Sequence, residues 1–214
     1  DLTSAVRDEP DNAEAWSWLA AIAMVQARYG DARAACLKVG PLLTPLIGTA
    51  CVAAVDATTG HAVKAVADMR AGMKNAPDAS PVELLWVLTR LAETEDRLGH
   101  HAEAEAAYVR AQALGLTDGY LLAAHADFLL DRGRPAEVLT LLRGKERSDL
   151  LLLRLAIAAK ALNAPEAAGW AADLTARFDA ARLRGDTVHQ KEEARFALAV
   201  LGDAKRALPL ASAN

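Results

Sequence analysis

Leu91 to Ala111 reads LAETEDRLGHHAEAEAAYVRA, and this stretch decides the fold. Leu91, Ala92 and Leu98 lie on one helical run, which Gly99 interrupts. A second run follows, with Ala104 five residues after the glycine, then Tyr108 and Ala111 at steps of four and three. Those steps put the three side chains on one helix face. Small alanines let two helices cross closely, while Leu and Tyr fill the groove between them. A glycine between the runs supplies the left-handed residue that ends the first helix.

Working outward, breaks of the same kind stand at Gly30, Gly60, Gly99, Gly133, Asn163 and Gly202, at intervals of 30, 39, 34, 30 and 39. Periods of this size signal a stacked-repeat architecture, in which each repeat buries its apolar face against its neighbours. Composition agrees: the 214 residues are 53% hydrophobic, mostly Ala and Leu, and only 5% aromatic. Those are strong helix formers, whereas strand formers are sparse. The expectation is one all-α domain over residues 1–214, with helices near 13–29, 31–39, 45–58, 61–74, 81–98, 101–114, 119–132, 135–143, 148–162, 165–182, 187–201 and 203–213. Ser80-Pro81 reads as an N-cap followed by proline at the first helical position. Gly185-Asp186-Thr187 reads as a stop and a fresh cap. Shifting the first three breaks by 103 residues lands on the last three (30 to 133, 60 to 163, 99 to 202).

A net charge of −4 argues against nucleic acid or an anionic membrane surface as the main partner. No apolar run reaches the roughly 18 residues that span a bilayer; Leu150–Leu162 is broken by Arg154 and Lys160. The chain begins at Asp1 without an initiator Met. It is expected to start and stop inside repeats, as a soluble product that is either cytoplasmic or exported after loss of an N-terminal segment.

The stretch Leu91–Ala111 resembles a tetratricopeptide repeat, through Leu91-Ala92, Gly99, Ala104, Tyr108 and Ala111. Pro10 followed six residues later by Trp16 resembles the same family's repeat junction, and Asn75-Ala76-Pro77-Asp78 resembles another. Counted from Pro10 and Trp16, the first turn falls about three residues before Gly30. The resemblance implies a right-handed α-solenoid of about six helix-turn-helix repeats. Extra residues around Asp78–Trp86 and Arg177–Val188 would disturb its regularity.

In that family the first helix of each repeat usually lines a concave face. Mapped by turn position, the face takes Met24 and Arg28, then Thr89, Glu93, Asp96 and Arg97, then Ala123, Asp127, Leu130 and Asp131. It continues with Leu153 and Ile157, then Glu192, Phe196 and Val200. Its middle is acidic, with Glu93, Asp96, Asp127 and Asp131 offset by Arg90 and Arg97, which favours a basic or neutral partner segment. The Lys/Arg/Asn clamp by which some family members hold a C-terminal carboxylate is missing from the matching positions. Solvated charges on ordinary helices are the plainer reading of the same residues. Trp86, if exposed, is the anchor candidate, because a rigid aromatic contributes much contact area at little entropic cost.

Other residues carry less. His100, His101 and Glu105 share a helix start, as polar residues at a turn do, and lack a second ligand pair for a metal. His125 replaces the Leu91 of the preceding repeat and is expected in the core, whereas His61 and His189 are expected to face solvent. Cys36 and Cys51 lie on helices expected to pack together; they read as small reduced hydrophobes, or as a disulfide if the protein is exported. Trp16, Trp18 and Trp170 read as core or capping aromatics. No nucleophile elbow, phosphate loop, dinucleotide fingerprint, HExxH or paired CxxC is present. The sequence therefore favours a non-catalytic protein-protein interaction scaffold without a cofactor. The alternative is a structural repeat domain that self-associates, as a homodimer through its terminal helices.

Overall fold

The computed structural model describes residues 2–213; Asp1 and Asn214, the chain ends of the sequence reading, lie outside the described residues. Among the described residues the chain is all-helical, with no strand. It forms two compact units, one running to Thr117 and the other from Asp118.

The first unit holds α1 (Leu2–Asp8), α2 (Ala13–Val25), α3 (Tyr29–Leu42), α4 (Pro45–Thr58), α5 (Ala62–Lys74), α6 (Pro81–Arg97) and α7 (His101–Gln112). Each helix packs on the next in sequence, and α4 also packs on α6. Helix starts follow from local chemistry. Asn12 Oδ1 accepts from Ala15 N–H at 2.9 Å, satisfying one of the free amides of α2. Thr44 caps α4 ahead of Pro45. Ser80 and Glu83 cap α6 reciprocally ahead of Pro81, a capping box as the Ser80-Pro81 reading implies.

Helix ends follow a repeated turn. The amides of Arg28, His61 and His100 reach back five residues to the carbonyls of Ala23, Asp56 and Glu95, at 2.8, 2.9 and 2.9 Å. The residue before each donor, Ala27, Gly60 or Gly99, has φ of 56°, 92° or 80°. This is the left-handed closure that satisfies orphan carbonyls at a helix end. Gly30 is not one of these turns, since it sits inside the first turn of α3. The first break is Ala27, where the count from Pro10 and Trp16 puts it, and α2 ends at Val25 rather than at residue 29. With Ala27 as the break, the shift of 103 residues no longer joins the first turn to the fourth.

The junction of α3 with α4 is a close backbone crossing. A Cβ added at Gly48 would lie 2.4 Å from Gly40 Cα, so the two backbones meet without a side chain between them. Nearby, Cys36 and Cys51 are joined by a disulfide across 5.3 Å between Cα atoms. The reading of these cysteines as reduced hydrophobes is therefore corrected. Ala20, Ala23, Ala32, Ala35 and Val55 close the core around Cys36, which is 1% exposed.

The second unit holds α8 (Gly119–Asp131), α9 (Pro135–Leu141), α10 (Asp149–Ala161), α11 (Ala167–Leu183), α12 (Gln190–Phe196), a π-helical turn (Ala197–Leu201) and α13 (Ala204–Ser212). Helix α10 is its centre and packs on α8, α9, α11 and α12. Leu152, Leu153, Ala156, Leu174, Phe178 and Phe196 form the core there. Turns close at Gly133 and Asn163, with φ of 65° and 51°, and Gly185 stops α11 with φ 72°. The π turn inserts one residue before Gly202, and Lys160 Nζ donates to the Val200 carbonyl at 2.6 Å.

Candidate functional site

The repeated turn fixes the phase of each helix that precedes it. In α2, α4 and α6 the residues 13, 9, 6 and 2 before the turn residue fall on one helix face, because their spacing is i, i+4, i+7, i+11. The rows are Glu14, Trp18, Ala21 and Val25; Ile47, Cys51, Ala54 and Thr58; and Trp86, Arg90, Glu93 and Arg97. None of these residues is buried. The position four before each turn, Ala23, Asp56 or Glu95, is buried in all three helices, at 2%, 5% and 1% exposure.

These rows change in character from helix to helix. On α2 the face is apolar beyond Glu14, with Trp18 56% and Val25 89% exposed and Ile22 beside them. Trp18 is thus a surface residue, not the core or capping aromatic of the sequence reading. On α4 the half-buried Ile47 and Ala54 continue an uncharged face. On α6 Trp86 is half-buried, and the Arg90 guanidinium carbon lies 6.0 Å from the centre of its ring. Arg90 Nη1 also reaches Glu93 Oε2 at 2.9 Å, which holds the guanidinium in place over the indole.

The sequence-predicted residues are dispersed between the two units. Trp86, Arg90, Glu93, Asp96 and Arg97 lie on α6, with Asp96 Oδ1 3.1 Å from His101 Nδ1 and Arg97 exposed. Asp127 and Asp131 lie on α8. Asp127 takes Arg154 at 2.6 Å and Arg195 at 2.7 Å, so its charge is met from α10 and α12. Asp131 is exposed. Several residues assigned to the open face are core instead: Thr89 is 2% exposed, Ala123 4%, Leu153 0%, Phe196 0% and Val200 8%. The Thr89 hydroxyl donates to the Leu85 carbonyl at 2.7 Å, which lets it face inward. The π turn that follows α12 shifts the register counted back from Gly202, and Phe196 and Val200 lie in the core.

The histidines fall largely where their sequence contexts place them. His125 is buried, while His61 and His189 are exposed and stand just before α5 and α12. His100 Nδ1 lies 2.8 Å from Glu95 Oε2, and Glu95 also takes Arg70 Nη2 at 2.5 Å. His100 thus serves a buried carboxylate on the preceding helix.

Two carboxylates have pKa values displaced by their partners. The hydroxyl of Thr44, 2.6 Å away, holds Glu83 below its ordinary range, with the Ser80 hydroxyl and amide adding to the effect. Glu137 is likewise lowered, by its hydrogen bonds from Arg134. Both shifts come from helix-start contacts and not from a reactive cluster.

Trp18, Ile22 and Val25 are the exposed residues that the sequence reading missed. The signal was present in the count from Pro10 and Trp16, which puts the turn at Ala27 and rotates α2 relative to a turn at Gly30. Compared with known proteins, the chain matches no family model, and no curated protein matches it.

Proposed function

We propose that the protein is a non-catalytic interaction scaffold whose repeats form a tetratricopeptide-like α-solenoid. It takes a peptide or protein segment on the free face of α2, α4 and α6. The observation that carries this reading is the phased row itself. Three turn-aligned helices leave the same positions exposed or half-buried, among them Trp18, Val25, Ile47 and Trp86, while Cys51 of the row is tied to α3 by its disulfide. An uncovered apolar row of this kind on a charged protein marks a binding surface. Rigid aromatics at its two edges supply anchors, because tryptophan and arginine concentrate binding energy at interfaces. The Trp86–Arg90 stack and the adjacent Glu93 give the α6 end polar contacts that set the register of a bound segment.

A segment seated there buries Trp18 and shifts its emission to the blue. Replacing Trp18 and Trp86 by alanine weakens binding by about 2 kcal/mol or more if both are anchors. Unchanged affinity in the double variant overturns the assignment of this face.

The second reading, self-association through terminal helices, is favoured by one observation. Leu198, Leu201 and Leu208 are exposed at 58%, 42% and 70% on the π turn and α13. Light scattering separates the two readings, because a concentration-dependent dimer dissociated by Leu208→Glu supports self-association.

The Cys36–Cys51 disulfide supports an oxidising compartment as the place of action, because such bonds form and persist there and are reduced in cytosol. No described helix is long and apolar enough to cross a membrane.

A further inference from the structure

A second surface of the first unit is edged mainly by cations. Helices α5 and α7 flank a cleft of about 480 Å³, with α6 at its base. That volume lies within the range of ligand-binding clefts, roughly 300–1,000 Å³. The floor is apolar: Leu91 and Ala107 are buried, and Met73 is half-buried. The rim carries Arg70 and Lys74 from α5, one helical turn apart, and Arg110 from α7, against the single acidic residue Glu103.

The three cations differ in how they are held. Arg70 donates from Nη2 to Glu95 Oε1 at 2.5 Å; Glu95 is 1% exposed whereas the Arg70 side chain is 54% exposed. A buried carboxylate behind an exposed guanidinium fixes the fork while leaving its other N–H groups toward solvent. Lys74 and Arg110 are exposed and make no ion pair among the described residues. In a chain of net charge −4, this local excess of positive charge over an apolar floor selects for an anion with an apolar neighbour.

We infer that the α5–α6–α7 cleft is a docking site for an acidic segment of a partner protein. One carboxylate pairs with the cations of the rim while an adjacent aliphatic side chain rests on Leu91 and Met73. The site uses the faces of α5 and α7 rather than the free row of α2, α4 and α6. The protein then holds two segments of different chemistry at once.

The test uses the full chain and a short fluorescein-labelled peptide alternating Glu with Leu, read by fluorescence anisotropy. Its counterpart has Lys in place of every Glu. The acidic peptide is expected to bind and the basic one not. Raising the ionic strength from about 0.1 M to about 1 M shortens the screening length from ~10 Å to ~3 Å and weakens binding. Lys74→Glu with Arg110→Glu is expected to reduce affinity at least about tenfold. Both side chains are exposed, so the fold is kept, which circular dichroism checks. Arg184→Glu, an exposed cation of the second unit, is expected to leave affinity unchanged. Amide shifts on binding are expected in α5 and α7 and not in α2. Absence of binding, equal binding of the basic peptide, or indifference to the double charge reversal overturns the inference. Binding on the α2–α4–α6 row instead also overturns it, and leaves the reading of that row standing.

Discussion

Gly40 on α3 and Gly48 on α4 meet backbone to backbone, at a separation that leaves only 2.4 Å between Gly40 Cα and a Cβ built on Gly48. No flexible side chain is available there to move aside. Gly48→Ala therefore forces α3 and α4 apart and is expected to destabilise the protein by about 1–3 kcal/mol. Gly30, by contrast, lies in α3 with nothing within 4 Å of its would-be Cβ. Gly30→Ala is expected to stabilise by about 0.4–1 kcal/mol through the unfolded chain. Urea midpoints of the two variants check the pair, and effects of the same sign contradict the packing described.

The disulfide beside this crossing closes a loop of 15 residues. Constraining an unfolded chain by a loop of that length contributes about 3 kcal/mol. Cys36→Ser with Cys51→Ser should lower the unfolding free energy, read from urea denaturation, by that amount. Thiol titration of the denatured, unreduced protein should find no free thiol.

Glu83 joins the starts of two helices, since its carboxylate accepts from Thr44 at the start of α4 and from Ser80 at the start of α6. Its pKa is lowered in the folded state, so its contribution is present above the unfolded value of about 4.3. That contribution is lost as pH falls through the lower folded value. Glu83→Gln should therefore destabilise the protein at neutral pH and much less at about pH 3. An equal difference from wild type at both pH values would falsify the linkage.

Arg70 and Glu95 form a pair of unequal burial, and the cost of breaking it depends on which partner goes. Arg70→Met leaves a buried carboxylate facing His100 alone, which costs about 1–3 kcal/mol. Glu95→Gln leaves Arg70 free to be solvated, and costs less. Chemical denaturation of both single variants and the double variant Arg70→Met/Glu95→Gln separates the terms, the double variant recovering part of the loss.

Much of the helical pattern was legible because its signals are local. Prolines at Pro45, Pro81 and Pro135 start helices, and Gly60, Gly99 and Gly133 close them with a conformation that glycine adopts at no steric cost. Ala27 was harder to see, because an alanine at φ 56° carries no compositional mark and Gly30 nearby offered a false one. That slip of three residues rotated α2 and hid Trp18, Ile22 and Val25. The π turn was illegible for a related reason: an extra residue within Ala197–Leu201 leaves no break in the Ala/Leu pattern. The cleft of Arg70, Lys74 and Arg110 depends on helices from successive helix pairs, and no local pattern reports such a meeting.

Photo-crosslinking of the full chain in its source cells tests directly whether the α2–α4–α6 row holds a partner. A photoreactive residue is placed in turn at Trp18, at Ile47 and at Val109, the last an exposed residue of α7 outside the phased row. One and the same cross-linked protein, distinct from this chain, is expected from positions 18 and 47, absent from position 109 and lost with Val25→Asp. Adducts only to a second copy of the chain, or identical adducts from all three positions, would contradict a partner on that row.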